Sequence, residues 1–361
     1  MQFRLFLLLL LPFATSAADR RDPSPEPPAG LKPAEVPQFI LLSFDDNPHA
    51  DSIVWLLDLL ADRRNPAGAG RAATFDGAPV RAVLFSNGKP LAGNDALVAA
   101  HRRAVAEGHE LANHTHSHPH GGGFTVEQWR PEIAACVAAF AEAGLPGGAV
   151  RGFRTPFLEY NAATFAALAA EGYAYDSTIE EGVQAEQDGT NFLWPYTLDG
   201  GAPGNAVRFP AGSPRRVGSH PGLWELPLHV YHIPDDPAAA RLGRPAGLRD
   251  RARANIKAAW GWDWDAKAGK ITGLDWNVLE MAKLDGDDFF AILRHSLDLR
   301  LAGNRAPFVF GGHTALYPSD KPDRRKALAD FIAYALAKPE VRFVTGPQLL
   351  EWLRNPQPLA P

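Results

Sequence analysis

Apolar residues fall along this chain in short unbroken runs separated by longer stretches of helical periodicity. Phe39-Ile-Leu-Leu-Ser-Phe44 is a continuous apolar run of the kind that parallel strands bury on both faces. Apolar positions then recur at helical spacing over Ser52–Arg63. Val80–Ser86 reads as a second strand, Asp95–Glu107 as a helix, and Gly108–Asn113 leads into a third strand. The alternation continues through a helix over Val126–Ala143, a strand ending at Gly152–Arg154, a helix over Ala162–Glu171 and a strand at Tyr173–Tyr175. Leu223–Tyr231, Phe308–Phe310 and Val341–Val344 supply later strands, and Asp288–Ala302, Arg324–Ala337 and Pro347–Leu353 later helices. Repeated strand–helix units predict an α/β fold with a parallel sheet, closed or open, and helices outside it. Residues 182–222 and 232–287, rich in Gly, Pro, Asp and Trp, break the rhythm and read as long loops decorating one face. There is no internal repeat.

The amino terminus follows a different pattern. One arginine, Arg4, precedes the apolar run Leu5–Leu11, and small residues follow at Ala17 and Ala18. That is the layout of a cleavable export signal over residues 1–18, cut after Ala17 or Ala18, in a run too short for a permanent membrane span. The expected location is therefore secreted or periplasmic, with no membrane span after cleavage. Residues 19–36, rich in Pro, Asp and Ala, read as a disordered leader.

Of the 361 residues, 46% are apolar, enough for a large core, and the net charge of −5 leaves no basic stripe for nucleic acid. The single cysteine, Cys136, cannot form an internal disulfide, and its apolar helical surroundings make it a packing residue.

In parallel α/β sheets, working residues gather at the C-terminal ends of the strands. Asp45 and Asp46 follow the first strand directly. Two adjacent carboxylates resist joint ionisation, and a metal ion on one of them relieves the repulsion; the plain alternative is a pair capping the next helix. Asn113-His-Thr-His-Ser-His-Pro-His120 follows the third strand. Its histidines, with a carboxylate, make the ligand set of a catalytic zinc site, although spacing alone leaves open which of them ligate. Arg154 ends the fourth strand, Trp224 borders a later one, and His313 follows Phe308–Phe310 after two glycines. Each alone has an ordinary structural reading: a surface arginine, a core tryptophan, a satisfied histidine.

Taken in order, these segments resemble the five motifs of the polysaccharide deacetylases with a NodB-type domain, carbohydrate esterase family 4. Ser43-Phe-Asp-Asp46 resembles the first, His114-Thr-His-Ser-His118 the second, Arg154-Thr-Pro-Phe157 the third, Trp224 the fourth and His313 the fifth. The likeness spans Pro37 to Pro356, read as a single catalytic domain over residues 37–356. Asp62-Arg-Arg-Asn-Pro66, Tyr175-Asp-Ser-Thr178, Leu193-Trp-Pro-Tyr-Thr197, Asn304-Arg-Ala-Pro307 and Leu353-Arg-Asn-Pro356 resemble the animal chitin deacetylase branch in particular. The resemblance implies a distorted (β/α) barrel with long decorating loops. It implies metal ligation by Asp46, His114 and His118, with zinc or another divalent transition metal such as cobalt, and leaves His116 and His120 outside the ligand set. Asp45 is then the general base, Arg154 its orienting partner and His313 the general acid. Trp224 becomes a hydrophobic wall, and the backbone N–H of Phe157 part of an oxyanion site. The implied reaction is hydrolysis of N-acetyl groups on a chitin-like carbohydrate, with release of acetate.

Three positions depart from the family pattern. Phe157 stands where tyrosine is usual. Leu223 stands where an aspartate often braces the catalytic histidine, so the partner of His313 is undefined. The disulfides of the animal enzymes are missing. Rival readings are an ester deacetylase acting on an O-acetylated, xylan-like polymer and a catalytically silent sugar binder. Trp260, Trp262 and Trp264, which alternate in one loop, are either a substrate rim or core packing.

Overall fold

The computed structural model describes residues 20–360, so the export signal read over residues 1–18 lies outside the described residues. Strand β1 (Gln38–Asp46) runs through the centre of the main sheet, with eight of its nine residues buried. Its side chains divide by parity. Ile40, Leu42 and Phe44 pack into the core under the helices, while Phe39 and Leu41 join an inner core with Val83, Phe85, Ala112 and Leu226. Burial on both faces explains the unbroken apolar run.

Four strand–helix units follow from this start. They comprise helix α1 (Ala50–Leu60), β2 (Ala82–Ser86), α2 (Asp95–Ala106), β3 (Glu110–Asn113), α3 (Val126–Glu142), β4 (Gly152–Phe153), α4 (Ala162–Ala170) and β5 (Tyr175–Asp176). The helices begin where the local chemistry allows. Asn94 and Asn161 accept N–H bonds at the starts of α2 and α4, and Thr125 with Gln128 forms a reciprocal cap on α3. Among the described residues the main sheet has nine strands. Phe308–His313 and Val341–Phe343 pair with β1, the order runs on through β2 to β5 and Trp224–Glu225, and Tyr196–Thr197 is added antiparallel at the far edge. The other pairings are parallel. The curled parallel sheet wrapped by helices is the distorted (β/α) barrel the sequence led one to expect.

The sequence reading needs correction in three places. The segment read as a disordered leader is held from Arg20 onward. Thr197 N–H donates to Arg21 O at 2.8 Å and Arg21 N–H to Thr197 Oγ1 at 3.0 Å, Trp194 N–H donates to Ser24 O at 2.9 Å, and Asn304 Nδ2 donates to Pro25 O at 2.6 Å. Prolines restrict this strap before it docks, and its free carbonyls accept donors from the body of the protein. Leu223–Tyr231 is not one strand but three short ones, Trp224–Glu225, Leu228–His229 and Tyr231–His232, each in a different sheet. Pro227 lacks the N–H a continuous ladder needs. The stretches read as plain loops contain helices at Pro203–Arg208, Asp236–Arg241 and Leu248–Trp260.

Candidate metal centre and active site

Asp45 has the inward parity of Phe39, Leu41 and Ser43, whereas Asp46 has the opposite one. The backbone turns left-handed at Asp46 (φ 65°) and Asn47 (φ 54°). Asn47 secures the turn, its Nδ2 donating to Phe44 O, Phe85 O and Ser86 Oγ. After β3 the chain takes the same conformation at Thr115 (φ 67°) and His118 (φ 58°), and after β4 at Phe157 and Leu158. Six of the ten non-glycine residues with positive φ among those described thus lie in these three strand-end turns. Such backbone is unfavourable for residues with a Cβ, by about 1–3 kcal/mol each, and gathers where a site dictates geometry.

These turns bring Asp46, His114 and His118 together, with one potential ligand atom from each within 4.8 Å of the others. His118 Nε2 is 3.0 Å and His114 Nε2 3.4 Å from Asp46 Oδ1, a buried oxygen that accepts no hydrogen bond. His114 Nδ1 lies 2.8 Å from Arg154 O. A carbonyl can only accept, so Nδ1 carries the proton and Nε2 keeps its lone pair turned toward Asp46. Converging lone pairs without a proton between them suit a divalent cation, and nitrogen and carboxylate donors suit zinc or cobalt.

Asp45, fully enclosed, accepts from Arg154 Nη1 at 2.8 Å. The guanidinium has no freedom left: Nη1 also meets Ser43 Oγ, Nε donates to Ser177 O and Nη2 to Ser177 Oγ, and the group lies 4.3 Å from the centre of the Phe85 ring. On the other side of β1, His313 is the cross-strand neighbour of Asp45. Its Nδ1 is 2.7 Å from Asp275 Oδ1, and its backbone N–H donates to Asp275 Oδ2 at 2.8 Å. Burial alone disfavours the imidazolium, but Asp275, and then Asp45 and Asp46, push the His313 pKa up to about 9.

A carboxylate–imidazole cation cradle, an arginine-held carboxylate and an aspartate-braced histidine now stand around one point at the strand ends. A family model described as polysaccharide deacetylase matches residues 32–175, which include the first two of these elements. Over these residues the chain matches the polysaccharide deacetylases. It is similar to chitin deacetylase 1 of Bombyx mori, 25% identical over 91% of this chain and 53% of the relative. It is also similar to chitin deacetylase 8 of Bombyx mori, 24% identical over 96% of this chain and 78% of the relative. It therefore spans about half the length of the first of these. A crystal structure of a candidate polysaccharide deacetylase from Mycobacterium smegmatis shares the fold, with a TM-score of 0.51 and 19% identity over 94% of this chain and 99% of that one.

Within this site the structure sorts the remaining residues. Phe157 stands at its rim, half-exposed at 51%, with its ring centre 4.4 Å from that of His118. His120 stacks on the other part of the rim, 4.0 Å from Phe157 and within 3.1 Å of Glu159. His116 is half-buried, and neither it nor His120 enters the ligand cluster. Trp224 is the exception among the expected site residues. It is 2% exposed, packed in the inner core, and pairs with Tyr175, two residues below the Ser177 that holds Arg154. The bland reading, a core tryptophan, is the correct one, and Trp224 forms no wall that a substrate can touch here. Cys136 is buried, which pushes its thiol up to about 12, in keeping with a packing role.

The brace of His313 was missed because Asp275 lies in a segment without periodicity. Leu274 makes a lone parallel bridge to Gly311, which seats Asp275 beside the end of the Phe308–His313 strand. No local pattern reports that contact.

Proposed function

We propose that this deacetylase is exported, that it depends on a divalent metal held by Asp46, His114 and His118, and that it hydrolyses N-acetyl groups on an N-acetylglucosamine-containing, chitin-like polysaccharide or oligosaccharide. The observation that carries this reading is the placement of an arginine-held carboxylate and an aspartate-braced histidine, cross-strand neighbours, beside one cation cradle. Asp45 is held in place by the Arg154 guanidinium at 2.8 Å, and His313 is tied to a carboxylate that favours its protonated form. Hydrolysis of an unactivated amide needs both, a base for the water and an acid for the nitrogen.

When bound, zinc or cobalt lowers the pKa of a ligated water and polarises the acyl oxygen. Asp45 takes the proton from the attacking water as its oxygen bonds to the acetyl carbon, while Arg154 keeps the carboxylate aligned. The backbone N–H of Phe157 donates to the carbonyl oxygen as negative charge develops there. As the C–N bond breaks, His313 gives its Nε2 proton to the departing sugar nitrogen. Acetate and a glucosamine unit result, and the Asp45 proton returns His313 to its acid form through solvent.

Acetate release from N-acetylglucosamine oligomers by the metal-loaded protein tests the proposal. Asp45→Asn is expected to keep its metal and to lose turnover by roughly a thousandfold, the scale of general base catalysis. His114→Ala is expected to lose metal and turnover together, as seen by elemental analysis beside the assay. Normal turnover in either variant sinks the assignment. Release of acetate from acetylated xylan but not from the amino-sugar oligomers would move the substrate to O-acetyl esters at the same site.

A further inference from the structure

Three of the four large apolar side chains exposed among the described residues are aromatic, and they fall into two groups. Phe157 lies on the His118 side of the cation cradle. Trp260 and Trp262, 45% and 57% exposed, connect instead to His313, whose strand flanks β1 on the side away from β3 and β4. Their link to the site is short: Trp260 packs edge-on against Trp276 at 5.5 Å, and Trp276 directly follows Asp275, the brace of His313.

The loop that presents them is built rather than loose. The helix Leu248–Trp260 ends at Gly261, whose φ of 73° lets the chain reverse. Arg253 of that helix ties down Asp263 at 2.8 Å. Trp264 turns inward, half-buried, and its indole N–H donates to Lys270 O at 2.9 Å. With both neighbours fastened, Trp262 is held out beside Trp260, ring centres 6.3 Å apart. Two adjacent indoles left in water forfeit a large apolar burial, and a rigid patch of this kind next to a catalytic centre marks a binding surface.

We propose that Trp260 and Trp262, backed by Trp276, form a glycan-binding platform separate from the reacting position. It takes the apolar face of a pyranose ring further along the chain whose acetyl group is being removed. The choice of a sugar rests on the deacetylase reading. An extended glycan is the occupant that fits, because the sheet order sets His313, to which the tryptophans connect, and the Phe157 turn on opposite flanks of the cradle. The platform therefore makes the enzyme prefer long chains.

The test uses the full metal-loaded protein and N-acetylglucosamine oligomers. Trp262→Ala, which removes an exposed ring, and the double variant Trp260→Ala/Trp262→Ala are compared with the wild type. The ratio of kcat/KM on the hexamer to that on the dimer is expected to fall roughly fivefold to tenfold in the double variant, the scale of one lost stacking interaction. An unchanged ratio overturns the proposal. Intrinsic tryptophan fluorescence titrated with the hexamer gives a second reading that needs no turnover. Saturable quenching in the wild type that is weakened in Trp262→Ala supports the platform even if no acetate is released, in which case the deacetylase reading alone fails. No quenching at millimolar hexamer overturns the platform even if acetate is released. Concentration-dependent dimerisation that both variants abolish would assign the patch to a second copy of the chain and also overturn it.

Discussion

His313 is under two opposing influences, and the outcome sets its chemistry. Enclosure favours neutral imidazole, but the two contacts to Asp275 and the nearby Asp45 and Asp46 outweigh it and hold the pKa at about 9. A histidine with an ordinary pKa near 6.5 would be mostly unprotonated at neutral pH and unable to donate to a leaving amine. Because the folded-state pKa is raised, the acid form is complete below the ordinary value and is lost as pH rises through about 9. Turnover is thus expected to decline on the alkaline side near that value. Asp275→Asn keeps an oxygen for the Nδ1 proton but removes the charge. Its alkaline limb should shift toward the ordinary imidazole range, lowering kcat by about thirtyfold near pH 8 through the lost protonated fraction alone. A kcat–pH profile checks this, and an unmoved limb would show that Asp275 positions the ring without tuning it.

At the scale of elements, the legible parts were those with a period or a strand end. β1 announced itself through a run buried on both faces, and Asp45, Asp46, His114, Arg154 and His313 could be placed because strand ends are where such sheets gather chemistry. What could not be read is what depends on contacts between distant segments. Asp275 reaches His313 from within a stretch without pattern, and Trp224, correctly placed at a strand, faces the inner core. The proline-rich strap was misread for the same reason: composition reports its lack of apolar residues but not the donors waiting for it. Asn304 is the clearest of these, its Nδ2 bridging Pro25 O and Phe192 O at 2.6 Å each while its Oδ1 accepts from Ala306 N–H at 3.2 Å. Asn304→Ala leaves these groups unpaired and is expected to destabilise the fold by about 1–3 kcal/mol. A denaturation midpoint measures that loss. Brief trypsin treatment should then cut at Arg20 or Arg21 in the variant before the wild type; an unchanged midpoint and cleavage pattern would mean that the strap is held by its other contacts.

For the molecule as a whole, the far side of the curled sheet carries an unusual load. β5 lies parallel to Trp224–Glu225, which sets Asp176 beside Glu225, both without solvent contact. Burial raises both carboxyls, Asp176 to about 6 and Glu225 well above the usual carboxylate range, with mutual repulsion adding to the rise at Glu225. The pair is tolerated because donors surround it. Asp176 accepts the N–H and hydroxyl of Thr178, Glu225 accepts Ile179 N–H, and Thr178 Oγ1 in turn accepts Thr155 N–H next to Arg154. One retained proton therefore links the closing strands to the turn that carries Phe157. The linkage has a definite sign. An acid whose folded pKa exceeds its unfolded one contributes its full stability below the unfolded value, near 4.5 for glutamate, and loses it progressively as pH rises toward the folded value. The wild-type Tm is accordingly expected to fall as pH rises from about 5 into the alkaline range. Glu225→Gln has the same shape, still accepts from Ile179 and can donate to Asp176 without holding a proton. Its Tm should fall less over that range and overtake the wild type at the alkaline end. Parallel Tm–pH curves for the two proteins would show that the shared proton is not what couples this sheet to pH.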